Sequence, residues 1–337
     1  FDFLGLKTLT VIDNAIKLVK QRTGKDIIWE QVDKNDSGVY KMIQSGQAIG
    51  IFQIEGEGMR KLGTSLRPDC FEDIVAMLAL YRPGPMESGM LDDFVKRKHG
   101  EAEITYAFKE LEPILAPTYG VIVYQEQVMQ IVQAVGGFSL GGADLVRRAM
   151  GKKIKEEMDR LKGEFVKGAE AKGLNGQKAD DLFELIVKFA GYGFNKSHSA
   201  AYAYVTFQTA YLKAYYPAEF MAALLTSEEG NVDKIVRYID EIKRINIEIL
   251  PPSINKSCKE FSVVKNGDHD GIIFGLGAIK GVGGAAIENI IAERDAKGEF
   301  SSMDDFVSRI DPFKVNKKVF ESLIKAGCFD EFGHSRK

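Results

Sequence analysis

Between residues 6 and 250 the apolar positions recur every three or four residues in one segment after another. Eight segments carry this spacing: 6–20, 70–80, 125–135, 154–172, 178–189, 199–216, 218–225 and 232–244. It predicts a mainly α body of packed helices. Glycine and proline punctuate the joints, at Pro83-Gly84-Pro85, Gly136-Gly137, Gly141-Gly142, Gly191 and Gly193. Pro217 stands just inside a helix start, where its missing N–H costs nothing. Only 48–54 and 120–124 read as short strands. The texture changes at Pro251-Pro252. Residues 261–265, the turn Asn266-Gly267-Asp268 and residues 272–274 predict a β-hairpin. Helices are expected at 285–294, 303–308 and 317–326, the last closed by Gly327. A domain boundary is expected near 250–270.

The 337 residues suffice for about two domains without a disulfide or metal staple. The longest apolar run, 74–81, is far short of the ~18 residues that span a membrane. Cys70, Cys258 and Cys328 lie far apart, as suits a reducing, cytoplasmic setting. No CxxC occurs and His99, His198, His269 and His334 form no ligand cluster, so a zinc site is not expected. Net charge is −3, whereas nucleic-acid modules are usually basic, so any such partner must be held by local charge. Phe1 in place of Met predicts an excised piece of a longer protein.

Three stretches could carry chemistry. Between Ser139 and Lys155 stand Arg147, Arg148, Lys152, Lys153 and Lys155 against one acid, Asp144. Ser139 can cap the helix start. Asp144 offsets part of the repulsion between Arg148 and Lys152, and the remaining charge suits phosphate oxygens. The bland alternative is a solvated basic helix end. The second stretch is Gly191-Tyr-Gly-Phe-Asn-Lys-Ser-His-Ser199, which opens a helix. Free N–H groups at that start, with Lys196 and His198 beside them, favour an anion. Ser197 as a hydrolytic nucleophile is a weaker reading, since no nucleophile elbow surrounds it. Tyr202, Tyr204, Phe207 and Tyr211 are expected in the core. The third stretch is Ile279-Lys-Gly-Val-Gly283. It fits neither Gly-rich nucleotide pattern, but a glycine turn between helices can offer backbone N–H groups to a nucleic-acid phosphate. Arg82 could face a ligand or solvent. Gln53, Glu55, Gln125 and Glu126 are expected to make buried structural hydrogen bonds.

Taken together, these residues resemble one family, the alpha subunits of bacterial DNA polymerase III. The strings that carry the resemblance include Phe1-Asp-Phe-Leu-Gly-Leu-Lys-Thr-Leu-Thr10, Gly50-Ile-Phe-Gln-Ile-Glu55, Ala79-Leu-Tyr-Arg-Pro-Gly-Pro85, Tyr124-Gln-Glu-Gln-Val-Met-Gln130, Arg147-Arg-Ala-Met-Gly-Lys-Lys153, Phe189-Ala-Gly-Tyr-Gly-Phe-Asn-Lys-Ser-His-Ser199 and Gly277-Ala-Ile-Lys-Gly-Val-Gly283. They follow one another in family order over nearly the whole chain.

The resemblance implies a trailing edge of the palm at 1–5, a multi-helical fingers domain at 6–250, and a β-hairpin with a helix-hairpin-helix DNA-binding region at 251–337. It implies a DNA-directed DNA polymerase, with this piece inactive alone for want of the palm. Asp2 matches one of three carboxylates that hold two Mg²⁺ ions. Arg147, Arg148, Lys152, Lys153, Asn195, Lys196, Ser197 and His198 match the pocket of the incoming deoxynucleoside triphosphate, with His198 against the sugar. Lys280, Gly281, Val282 and Gly283 match a contact to template-primer DNA. In the full-length protein the implied partners are a sliding clamp, a proofreading exonuclease and a clamp loader, with no membrane. The alternative is a non-catalytic DNA-binding module resting on Lys280–Gly283, and a distant third is a phosphate-ester hydrolase using Ser197.

Overall fold

The computed structural model describes residues 5–152, 155–190, 192–267 and 269–333. The chain divides into two compact units that interleave in sequence. One is Lys34–Gln47 with Gln53–Phe207, and the other is Phe1–Asp33, Ala48–Phe52 and Gln208–Lys337.

The first unit is helical. Its elements include Ser37–Gln44, Glu57–Leu66, Phe71–Leu80, Met90–Lys98, Gln125–Ala134, Leu140–Lys152, Lys155–Ala171 and Gly176–Ala190. Part of its core joins Ile131, Val132, Val146, Phe165, Phe183 and Ile186, all buried. These residues come from four helices, three of which lie in segments whose apolar spacing predicted a helix. The longer helices of this unit that were not expected include Ser37–Gln44, Glu57–Leu66 and Met90–Lys98. In the second of these, Gly58 and Gly63 weaken the helical signal. Gly63 is nevertheless required by packing, since a Cβ there would lie 3.0 Å from the carbonyl oxygen of Ile43.

Neither expected strand of the 48–54 and 120–124 runs forms. Gly50 at φ +82° and Gln53 at φ +63° fold the first run into turns. Tyr119 at φ +52° and Gly120 at φ +78° break the second, leaving a single parallel bridge from Tyr124 to Phe194.

The second unit contains the helices Lys7–Thr23, Pro217–Ser227 and Val232–Arg244, a three-stranded sheet, and a helix-hairpin-helix region. Pro217 opens its helix as expected. The hairpin forms as expected, with its first strand one residue later than read and its second starting three residues earlier. Strand β2 (Ser262–Asn266) runs antiparallel to β3 (His269–Ile273), closing at the Asn266–His269 pair. An unanticipated strand, β1 (Glu248–Leu250), lies parallel to β3, so the order is β1-β3-β2. Beyond it come the helices Gly284–Lys297, Met303–Arg309 and Lys317–Ala326. Gly327 ends the last helix at φ +88°, as expected. Ile287, Ile290, Phe300, Phe306, Leu323 and Phe329 form the small apolar core of this region. Among the described residues no helix is long and apolar enough to cross a membrane.

Candidate functional site

The helix Lys196–Tyr215 begins beside a cavity of about 340 Å³. Gln53, Met59, Leu78, Tyr81, Phe194, His198, Ser199 and Tyr202 line it. Asn195 caps the helix, its Oδ1 accepting the N–H of His198 at 2.8 Å. The carboxylate of Glu126 takes the N–H of Lys196 at 3.0 and 3.1 Å, so one orphan donor of this helix start is already satisfied. Ser199 is buried and donates to the carbonyl of Val75 at 2.7 Å. Ser197 is exposed. The His198 ring packs between Phe194 (centroids 5.7 Å apart) and Tyr202 (4.3 Å).

The loop entering this helix is held from two sides. The Phe194 N–H donates to Val123 O at 3.1 Å, and the Gln125 N–H donates to Phe194 O at 2.9 Å. Gln125 Nε2 also reaches Gly193 O at 3.2 Å. Arg82 is half-buried and its guanidinium is engaged within the fold. Its guanidinium donates to Tyr192 O at 2.6 Å and Ala79 O at 2.7 Å, and lies over the Phe194 ring at 4.5 Å. Burial lowers its pKa. Gly84 must lack a side chain here, because a Cβ would come within 2.2 Å of the Tyr192 ring.

Two expectations about polar residues change. Gln53 is exposed at the cavity, in a left-handed backbone conformation that is uncommon outside glycine. A glutamine that is buried is Gln127, whose Oε1 accepts the N–H groups of Val123 and Tyr124 at 2.9 and 3.0 Å while its Nε2 donates to Thr118 at 2.7 Å. Tyr202 lines the cavity, and it, Tyr204 and Tyr211 are only partly buried, whereas Phe207 is a core residue as expected. The signal for Tyr202 was its position four residues after His198, on the same helical face.

The basic stretch forms the helix Leu140–Lys152, and Ser139 Oγ caps it by accepting the Gly142 N–H at 3.1 Å. Ala143, Val146 and Ala149 face the core. Arg147 and Arg148 converge on one carboxylate. Arg147 donates to Asp144 Oδ1 through Nε at 2.9 Å and Nη2 at 2.7 Å, and Arg148 donates to Oδ2 through Nε at 2.7 Å and through Nη2. The bonds from Arg148 and then Arg147 hold the Asp144 carboxyl below the usual range. Neither arginine lines the cavity at His198. Lys152 ends this helix, and Lys153 and Asp2 lie outside the described residues.

Among the described residues, Asp69, Cys70 and Asp73 are a grouping with metal-ligand spacing. An internal cation already fills it. Lys98 Nζ stands 2.9 Å from Asp69 and 2.6 Å from Asp73, with Tyr119 OH at 3.3 Å. Burial pushes the Cys70 thiol up to about 11. The described residues therefore do not fit a two-metal centre.

In the helix-hairpin-helix region the turn presents Lys280, Gly281 and Gly283 to solvent while Val282 anchors it in the core. The Val282 N–H returns to Ile279 O at 3.1 Å. Gly281 needs its glycine, at φ +91°, whereas a Cβ on Gly283 would meet nothing within 4 Å. Gly283 precedes the first turn of the helix Gly284–Lys297.

Residues 8–173 match the family of the bacterial DNA polymerase III alpha subunit finger domain, and residues 246–337 match a helix-hairpin-helix motif. The whole chain aligns with DNA polymerase III subunit alpha of Campylobacter jejuni at 68% identity over 28% of that protein. It aligns with that of Helicobacter pylori strain J99 at 60% over 28%, and with that of Escherichia coli K12 at 48% over 30%. The chain thus spans under a third of the length of these curated relatives. It belongs to the bacterial DNA polymerase III alpha subunit family, of which it carries the finger domain and a helix-hairpin-helix region.

Proposed function

We propose that this chain forms the nucleotide-binding fingers and a DNA-contacting module of a replicative, DNA-directed DNA polymerase. The carrying observation is the cavity at the start of the Lys196–Tyr215 helix, walled by Tyr81, Phe194, His198 and Tyr202. Its volume falls at the small end of the ~300–1,000 Å³ typical of ligand pockets. Aromatic walls suit the sugar and base of a deoxynucleotide, with His198 against the sugar. Asn195, Lys196 and Ser197 at the helix start, with Arg147, Arg148, Lys152 and Lys153, supply donors and positive charge for the triphosphate.

Phosphoryl transfer asks a protein mainly for positioning and charge neutralisation. Asp144 holds the two guanidinium groups in a fixed pair, so a triphosphate would meet oriented donors but compete with a carboxylate for them. Arg82 and Gly84 fix the loop that delivers Phe194 to the wall. Mg²⁺ enters this reading only through the resemblance, at Asp2 together with palm carboxylates beyond this chain. The 337 residues alone would therefore incorporate no nucleotide. Lys280 and the N–H groups of Gly281 and Gly283 contact phosphates of template-primer DNA. The setting is cytoplasmic, and in the full-length protein the partners are a sliding clamp, a proofreading exonuclease and a clamp loader.

Primer extension by the full-length polymerase tests this. Charge-assisted hydrogen bonds are worth roughly 1.5–3 kcal/mol, so Arg148→Ala should lower incorporation efficiency about 10- to 150-fold through nucleotide and not primer. His198→Ala should raise ribonucleotide use relative to deoxyribonucleotide. Unchanged nucleotide dependence in the first variant and unchanged sugar preference in the second would remove the pocket from this site.

A further inference from the structure

The helix-hairpin-helix region carries one large side chain that its core does not use. Phe313 is 94% exposed, although Val315 and Val319 beside it are buried. The backbone beneath the ring is pinned. The Phe313 N–H donates to Asp311 Oδ1 at 2.9 Å, and the N–H groups of Lys314 and Val315 donate to Asp311 O at 3.0 and 2.9 Å. The Asp311 N–H in turn donates to Asn289 Oδ1 at 3.0 Å, tying the loop to the helix Gly284–Lys297. Pro312 restricts the approach to the tip. The ring is thus held in water by an ordered loop, with no apolar neighbour among the described residues covering it.

Charge identifies what would cover it. Residues 295–337 as a whole balance eight basic residues against eight acids. Around the ring the balance is broken, because residues 312–318 contain Lys314, Lys317 and Lys318 and no acid. All three lysines are exposed, and Asp311 is occupied by its own loop. Lys318 also lies one helical turn before Ser322, whose Oγ donates to Lys318 O at 3.0 Å. That same Oγ would sit 3.0 Å from a Cβ on Gly281. The basic loop therefore continues from the hairpin turn along one helix. A lone ring flanked by ammonium groups is a poor match for an apolar protein groove. It matches a nucleic acid strand whose bases are free to stack and whose phosphates follow on either side.

We infer that Phe313 is a stacking platform for an unpaired base of single-stranded DNA, with Lys314, Lys317 and Lys318 taking the flanking phosphates. The inference rests on the proposed DNA-facing role of this region, but it concerns a different loop and a different form of DNA from the hairpin turn.

Fluorescence anisotropy of the 337-residue chain with a labelled oligodeoxythymidylate, across a salt series, tests it. Stacking is worth ~1–3 kcal/mol per base, so Phe313→Ala should weaken binding about 5- to 150-fold. The salt slope should not change, since no charge is lost. Phe313→Trp should bind at least as well as the parent, and Phe313→Leu should be as weak as Phe313→Ala. Lys318→Ala should instead reduce the slope by about 0.7. Parental affinity in Phe313→Ala, full rescue by Phe313→Leu, or no measurable single-strand binding by the parent would each overturn the inference. Rescue by leucine would point to an apolar protein partner. Blunt duplex is titrated in parallel against Lys280→Ala. A silent Lys280→Ala beside a weakened Phe313→Ala condemns only the hairpin contact, and the reverse pattern condemns only the stacking platform.

Discussion

The cluster around Lys98 and the turn around Lys280 use lysine in opposite ways. Lys98 has a side chain only 5% exposed and is enclosed by Asp69, Asp73 and Tyr119. Asp73 is itself 1% exposed and also accepts from Tyr119 OH at 3.0 Å. Lys280, Lys314, Lys317 and Lys318 stand in solvent on a small apolar core. In the first case the charge belongs to the fold, because removing one partner strands a buried ion. In the second the fold rests on Ile287, Phe306 and Phe329, and the charge is available to a ligand. The helix Leu140–Lys152 falls between them. Its arginines are at the surface yet paired to Asp144, so they serve the fold weakly and could serve a ligand by exchange.

The largest expected effect is on the enclosed lysine. Lys98→Met should destabilise the chain by about 3–5 kcal/mol in a urea titration, because Asp73 is left buried and uncompensated. A loss below 1 kcal/mol would break the contrast. The pH dependence has a definite sign. Burial alone would raise the Asp69 carboxyl, but the bond from Lys98, the hydrogen bonding with Asp73 and the charge of Lys98 together more than offset it and hold it low. The contribution of Asp69 is thus complete above the usual carboxylate range and is lost as pH falls through its lowered value. Burial likewise works against the Lys98 ammonium, yet the bonds to Asp73 and Asp69 hold it above its ordinary range. Its contribution is complete below that range and is lost as pH rises through the raised value. The parent should therefore show a stability plateau across neutral pH, and Lys98→Met should lose the fall at the alkaline end.

At the hairpin turn, fold and binding should separate. Gly281→Ala forces a side chain into the left-handed region and should cost about 1–2 kcal/mol. Gly283→Ala meets open space and should leave stability within about 0.5 kcal/mol. Both should weaken binding to blunt duplex, whose salt slope should be shallow, about −2 for two phosphates. Parental duplex affinity in Gly283→Ala would show that the turn is structural only.

The smallest effect concerns the intermediate case. Asp144→Asn should release both arginines and tighten triphosphate binding by the full-length polymerase about two- to fivefold at low salt. Weaker binding would instead make Asp144 a positioning residue for them. Because Arg148 and Arg147 hold this carboxyl low, it stays ionised between pH 5 and pH 8, so the difference between parent and variant should be flat over that range.

The amino-acid sequence by itself determined the elements that close within a turn or two. The helix spacing of 232–244, the cap at Ser139, the start at Pro217, the stop at Gly327 and the Asn266-Gly267 hairpin signal all form as read. Each depends on hydrogen bonds and side-chain periodicity between near neighbours, and those are fixed locally. Tertiary structure decided which polar groups have partners. Arg82 finds Tyr192 across 110 positions, Lys98 finds Asp73 across 25, and Glu126 finds the N–H of Lys196 across 70. It also bent 48–54 away from the strand its apolar residues suggested and set Gln53 beside His198 in the cavity wall. A buried or half-buried polar group must be satisfied by whatever packs against it, and what packs against it is settled only once the helices have docked.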